Sequence, residues 1–134
     1  MPWVLDTNMV VFCLRGKSAL VMQRIANTPA DEILLPMQAR AELLIGAAKS
    51  IRPDQNKAAV SGFIAPFKIV WPDSTTVDHY VDIRVSLERQ GNSISEGDLW
   101  IAATARAINS VLVTNNTSEF SRVTGLRIED WARL

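Results

Sequence analysis

Cysteine, histidine and tyrosine occur once each in the 134 residues, and neither sign of charge is in excess, with 14 Lys and Arg against 14 Asp and Glu. The single thiol, Cys13, excludes an internal disulfide, and its place in Val10-Val11-Phe12-Cys13-Leu14 predicts a small buried hydrophobe. One cysteine and one histidine in unrelated segments do not supply the nitrogen and sulfur ligands that zinc prefers. The lone His79 is expected on the surface of its helix. Zero net charge excludes nucleic-acid binding through a globally basic surface, so any such contact has to be local. No run approaches the ~20 apolar residues of a membrane span, and the N-terminal stretch lacks the basic and apolar regions of a signal peptide. These absences predict a cytoplasmic protein without membrane contact.

What is present is an ordinary globular composition, 48% hydrophobic and 21% charged, too apolar for a disordered chain. The length predicts one domain over 1–134. Trp3-Val4-Leu5 is a short apolar run that stops at Asp6-Thr7-Asn8, residues that end strands and cap helices. Helical spacing covers Ala19 to Ala26, and a strand follows over Glu32 to Pro36. Met37 to Lys49, rich in Ala and Leu, reads as a helix, and Pro53-Asp54 opens another through Phe63. Lys68 to Trp71 is a strand. Asp73 to Gln90 is a helix whose apolar face is expected to be Val77, Tyr80, Val81, Ile83 and Leu87, ended by Gly91-Asn92. A further helix covers Glu96 to Ile108, then a strand at Val111 to Val113 and an edge strand at Arg127 to Glu129. Strands alternating with helices predict an α/β domain with a mostly parallel sheet of four or five strands.

In such sheets the C-terminal ends of the strands line the crevice where ligands bind. Asp6-Thr7-Asn8 and Thr114-Asn115-Asn116 both follow strands, with Glu119 about a turn later. By spacing alone Asp6 is as well explained as a helix cap, and Ser95 and Asp98 have the spacing of a capping box. Glu42 lies mid-helix among small residues, Ala39 above and Gly46 below, which allow close approach of a backbone or ligand. All three acids sit in apolar or small-residue segments. Two unit charges ~4 Å apart repel by about 4 kcal/mol at an effective dielectric of 20, so clustered carboxylates need a counter-ion. A hard divalent cation with oxygen ligands provides it.

Taken in order, Leu5-Asp6-Thr7-Asn8, Ala41-Glu42-Leu43 with Gly46, Ile94-Ser95-Glu96-Gly97-Asp98 with Ile101-Ala102-Ala103, and Leu112-Val113-Thr114-Asn115-Asn116 with Glu119-Phe120 resemble the PIN-domain toxins called VapC. Arg84, Leu87-Glu88 and Gly91, and the segment from Gly125-Leu126 to Trp131, share the likeness. It implies an α/β/α sandwich in which Asp6, Glu42 and Asp98 hold Mg²⁺ or Mn²⁺, supported by Thr7, Asn8 and Thr114. Many PIN domains carry a fourth acid after the late strand. This chain has Asn115 and Asn116 there, so Asn116 and Glu119 are alternative occupants of that position. Pro36 stands where a small hydroxyl residue is often seen.

The implied activity is that of the toxic component of a type II toxin–antitoxin system, an endoribonuclease hydrolysing RNA phosphodiesters, with transfer RNA cut in its anticodon region as the expected substrate. The products would carry a 5′-phosphate and a 3′-hydroxyl. The resemblance also implies a VapB-type antitoxin whose tail fills the acidic groove, contact with operator DNA only through that antitoxin, and a homodimer. Arg15 and Lys17 are candidate RNA contacts. The alternative is a non-catalytic PIN-like adaptor binding RNA or protein. A phosphatase with an Asp acid–base two residues after Asp6 is excluded by Asn8.

Overall fold

The computed structural model describes residues 2–133. Its strands are β1 (Trp3–Leu5), β2 (Ile33–Pro36), β3 (Lys68–Val70), β4 (Val111–Val113) and β5 (Arg127–Glu129). The helices are α1 (Thr7–Leu14), α2 (Ala19–Ala26), α3 (Met37–Ala48), α4 (Pro53–Ile64), α5 (Ser74–Gln90), α6 (Glu96–Ala107) and the short α7 (Thr117–Phe120). The strands form one sheet in the order β3-β2-β1-β4-β5, and every neighbouring pair is parallel. The sheet is therefore wholly parallel, where the sequence predicted it mostly so.

The order explains where a site can form. The chain adds strands outward from β1 through β2 to β3, then returns to the other side of β1 for β4 and β5. Connections on either side of β1 and β4 diverge, and a crevice opens at their C-terminal ends. Val4, Leu5, Leu112 and Val113 are fully buried, as expected of central strands covered on both faces. The edge strands carry exposed charge instead, at Lys68 on β3 and at Arg127 and Glu129 on β5, which discourages pairing with other chains.

On α3, Ala39, Leu43 and Ala47 recur every four residues and are buried. Helix α6 buries Leu99, Ile101, Ala102, Ala103, Thr104 and Ala105, and its small side chains let it lie close to its neighbours. Helix α5 starts with a reciprocal Asp73–Thr76 capping box and stops at Gly91, whose φ of 69° a side chain would strain. The aromatic side chains divide. Trp131 is buried and meets Trp3 edge-on, with ring centroids 5.3 Å apart. Trp100 is half-buried and stacks on Tyr80, while Trp71 is exposed. Cys13 is buried as expected, and burial pushes its thiol up to about 11.

Two expectations need correction. Thr76, Ile83 and Leu87 are the buried positions of α5, whereas Val77 and Val81 face outward with Val85. The apolar residues of this helix occupy two faces, and only one meets α6. His79 is half-buried, and its Nδ1 accepts a hydrogen bond from Arg106 Nε at 2.8 Å. The same guanidinium donates to Asp82 Oδ2 at 2.6 Å and to the Thr124 carbonyl at 2.9 Å. Arg106 thereby ties α5 and α6 to the segment before β5, and His79 is one of its anchors.

Candidate active site

Asp6 follows β1 and its backbone N–H donates to the Val113 carbonyl at 3.1 Å, which carries the β1–β4 pairing one step past the strand. Its side chain caps α1, Oδ1 accepting from Met9 N at 2.9 Å. Oδ2 accepts from the Thr114 hydroxyl. The cap and the candidate site thus use the same carboxylate. Thr114 is wholly buried, and its hydroxyl oxygen also accepts from Asn116 N at 2.9 Å.

Glu42 reaches the crevice from the exposed side of α3, where Oε2 accepts from Thr7 Oγ1 at 2.8 Å. Opposite lies Gly97, at which a Cβ would stand 2.2 Å from Glu42 Oε1. Sequence reasoning assigned no role to this glycine, although its place next to Asp98 was visible. Gly46, by contrast, has nothing within 4 Å of a Cβ and borders open space. Asp98 is half-buried at the third position of α6, and its backbone N–H donates to Ser95 Oγ at 3.3 Å. Ser95 is the N-cap; of the predicted capping box only the serine's half forms. Glu119 lies at the third position of α7, a helix the sequence did not predict, and Asn116 is its N-cap without a side-chain cap bond. Asn8 is exposed on α1.

Four carboxylates from four elements therefore feel one another. Burial pushes the Asp6 carboxyl up to about 6, and the charges of Asp98 and Glu42 push the same way, against the lowering hydrogen bonds from Thr114 and Met9. Asp98 is also raised, first by burial and then by Glu119 and Glu42, while Ser95 lowers it. Among the described residues none of the four has an ion-pair partner.

The donor set is all oxygen, which fits a hard divalent cation and not zinc. Among the described residues no three acids, as placed, already form a ligand cluster; Asp6 is held by Met9 and Thr114, and Glu42 by Thr7. Beside Glu42 a groove of about 350 Å³ runs between α1, α3 and α4, lined by Val11, Leu14, Leu43, Ala47 and Val60, with Arg15 on its rim. Lys17 is exposed just beyond.

Residues 3–126 match the PIN domain family. The tRNA(fMet)-specific endonuclease VapC of Shigella flexneri is 37% identical over 132 residues, covering 98% of this chain and 99% of that protein. The chain belongs to the VapC family of PIN-domain nucleases. Ribonuclease VapC1 of Haemophilus influenzae strain R2866 is 31% identical over 134 residues, covering 99% of this chain and all of that protein. Among solved structures, a chain of DNA-bound VapBC from Salmonella typhimurium superposes with a TM-score of 0.92 at 34% identity, covering 98% of each chain. The five-stranded parallel sheet is the PIN fold, and PIN-domain nucleases depend on divalent metal ions. No helix among the described residues is long and apolar enough to cross a membrane.

Proposed function

We propose that this VapC-family chain works as one PIN domain, the toxin of a toxin–antitoxin pair, and hydrolyses RNA phosphodiesters with Mg²⁺ or Mn²⁺, its substrate being a transfer RNA cut near the anticodon. The observation that carries this reading is Asp6, a buried carboxylate without a cationic partner, which feels the charges of Asp98 and Glu42, Asp98 in turn feeling Glu119. Such a group is costly to the fold unless a cation completes it. The Shigella relative's tRNA(fMet) specificity supports the substrate class.

When bound, the cation supplies charge neutralisation and Lewis acidity at the phosphate. The chain's own residues do the rest. Asp6 and Asp98 are the proposed inner ligands, with Glu42 beside them. Thr114 fixes one oxygen of Asp6 and Thr7 fixes one of Glu42, so that the remaining lone pairs face the crevice. Glu119 acts on Asp98, which favours it over Asn116 for the fourth acidic position. With an approximately neutral chain, RNA contact falls to local cations, of which Arg15 lines the groove and Lys17 follows it in the next turn.

The groove fits the other partner. Its lining combines apolar side chains with Ser50 and Asn56, and Glu42 supplies an acid, which suits an antitoxin segment with apolar side chains and an arginine. The neighbouring VapBC structures, DNA-bound in Salmonella typhimurium, support a VapB-type partner through which operator DNA is reached. A transfer RNA substrate and an antitoxin that reaches operator DNA both support a cytoplasmic location.

Protein freed from any partner is expected to cleave a small subset of total RNA with Mg²⁺ or Mn²⁺, and Asp6→Ala to be inert, read by sequencing new 5′ ends. Cleavage that persists in excess EDTA, or in Asp6→Ala, overturns the mechanism. An adaptor would instead show no Mn²⁺ binding by calorimetry in either wild type or Asp98→Asn.

A further inference from the structure

The first turn of α6 is gripped from behind by α5, and we propose that Arg84 and Tyr80 are positioning residues for Asp98, acting through Glu96. The inference rests on the reading of Asp98 as a metal ligand.

Glu96 is the first residue of α6. Its Oε1 accepts from the Tyr80 hydroxyl, and its Oε2 accepts from Arg84 Nη1 at 3.1 Å. Arg84 Nη1 also donates to the Tyr80 oxygen at 2.6 Å, and Arg84 Nε donates to Glu88 Oε1 at 3.2 Å. Tyr80, Arg84 and Glu88 stand one turn apart on α5, so one stripe of that helix gathers around the Glu96 carboxylate. One turn further along α6, Trp100 stacks on the Tyr80 ring, with centroids 4.0 Å apart and planes 12° from parallel. Glu96 and Trp100 thus seat the first two turns of α6 on α5.

Asp98 lies two residues after Glu96, about 200° round the helix axis. The grip on one side of α6 therefore sets how far its other side reaches toward the crevice. That setting is tight, because Gly97 leaves no room for a Cβ beside Glu42 Oε1. Glu42 and Glu119 both repel the Asp98 charge, which drives the turn outward, and the α5 contacts oppose that drive. Residues 92–95 ahead of the turn form neither helix nor strand. Among the described residues Arg84 is the only cation ion-paired to the turn. Both side chains of that pair are about half exposed, and exposed pairs add little to global stability. Their loss is felt in the site instead.

Mn²⁺ calorimetry of the full chain without RNA tests this. Arg84→Met is expected to weaken Mn²⁺ binding about fivefold, against the effect of charge alone, since removing a nearby cation favours Mn²⁺. Arg84→Lys should keep most of the affinity, and Tyr80→Phe, which retains the stack, should fall between the two. Adding Arg84→Met to Glu96→Ala should weaken binding no further than Glu96→Ala does, because both remove one contact. In the metal-free protein Arg84→Met should quicken hydrogen exchange at the Asp98 and Leu99 amides, which bond to Ser95, with the melting temperature within a few degrees of wild type. Unchanged Mn²⁺ affinity in Arg84→Met, as expected of a residue that serves only the fold or only RNA, overturns the proposal. Additive losses in the double variant or unaltered exchange at Leu99 overturn it as well. Wild type that binds no Mn²⁺ would strike the metal-site reading instead, and the exchange measurement would still decide whether Arg84 holds the turn.

Discussion

The hydroxyl of Thr114 donates to Oδ2 of Asp6 across 108 positions of sequence. Two adjacent parallel strands, β1 and β4, make this contact possible, because both end at the same level of the sheet. Burial drives the Asp6 carboxyl toward protonation, and the Thr114 bond is the largest influence acting against it. The state of the candidate site at neutral pH depends on that balance.

Replacing Thr114 with valine tips the balance. Asp6 loses its strongest lowering contact, so its carboxyl should titrate above about 6, and the acid limb of the cleavage profile should move to higher pH. Asn116 N loses its acceptor as well, which costs about 1–3 kcal/mol of stability. Urea melts and a pH–rate profile measure both; an unmoved acid limb would show that the hydroxyl has no hold on Asp6.

Asp6→Asn should make the metal-free protein more stable at pH 7.5 while removing cleavage. The folded carboxyl titrates at about 6, against an ordinary value of 3.8. The folded state therefore binds the proton more tightly, and stability is greatest below 3.8 and lost as pH rises through 6. The loss amounts to about 3 kcal/mol at most. Thermal melts in EDTA should show the variant's advantage at pH 7.5 and show it nearly gone at pH 4. Mg²⁺ should raise the melting temperature of wild type but not of the variant.

Gly97→Ala tests the packing around Glu42. The added methyl would collide with Oε1, and the flexible glutamate would move aside at little cost to the fold. Mn²⁺ affinity measured by calorimetry is expected to fall about tenfold, with the melting temperature within a few degrees of wild type. Undiminished affinity would mean that the observed position of Glu42 is not the one that matters.

The fourth acidic position separates by comparing two variants. Glu119 raises the Asp98 carboxyl, so Glu119→Gln should let Asp98 titrate lower while weakening Mn²⁺ binding by about tenfold. Asn116→Ala, which removes no side-chain cap bond, should change either quantity far less. The reverse ranking would assign the position to Asn116.

Periodicity and punctuation made most of the fold legible. Helix α2 and strands β4 and β5 fall where spacing places them, and β2, α3 and α6 differ by one residue at an end. The failures have a common cause, since a one-dimensional pattern records which residues are apolar but not which neighbour arrives to cover them. Val77 and Val81 look like core and face outward, while His79 looks like surface and anchors Arg106. Helix α7 is a single turn, too short to show a period. In the candidate site, Asp6, Glu42 and Asp98 were legible as carboxylates in apolar or small-residue segments, and Glu119 as the acid about a turn after the late strand. The closeness of Gly97 to Glu42 was not, because it depends on how α3 and α6 approach each other.

The reach from Asp6 to Thr114 also has a consequence for synthesis. A ribosome delivers Asp6 early and the hydroxyl that restrains it only after β4 is made, and Thr114 in turn gives its N–H to the Glu129 carbonyl at 2.9 Å on β5. A nascent chain therefore carries the first carboxylate through the synthesis of the 108 positions that separate it from Thr114 without the element that sets it. Any product truncated before β4 should be inert, so a harmful activity arises only once β4 and β5 have been made.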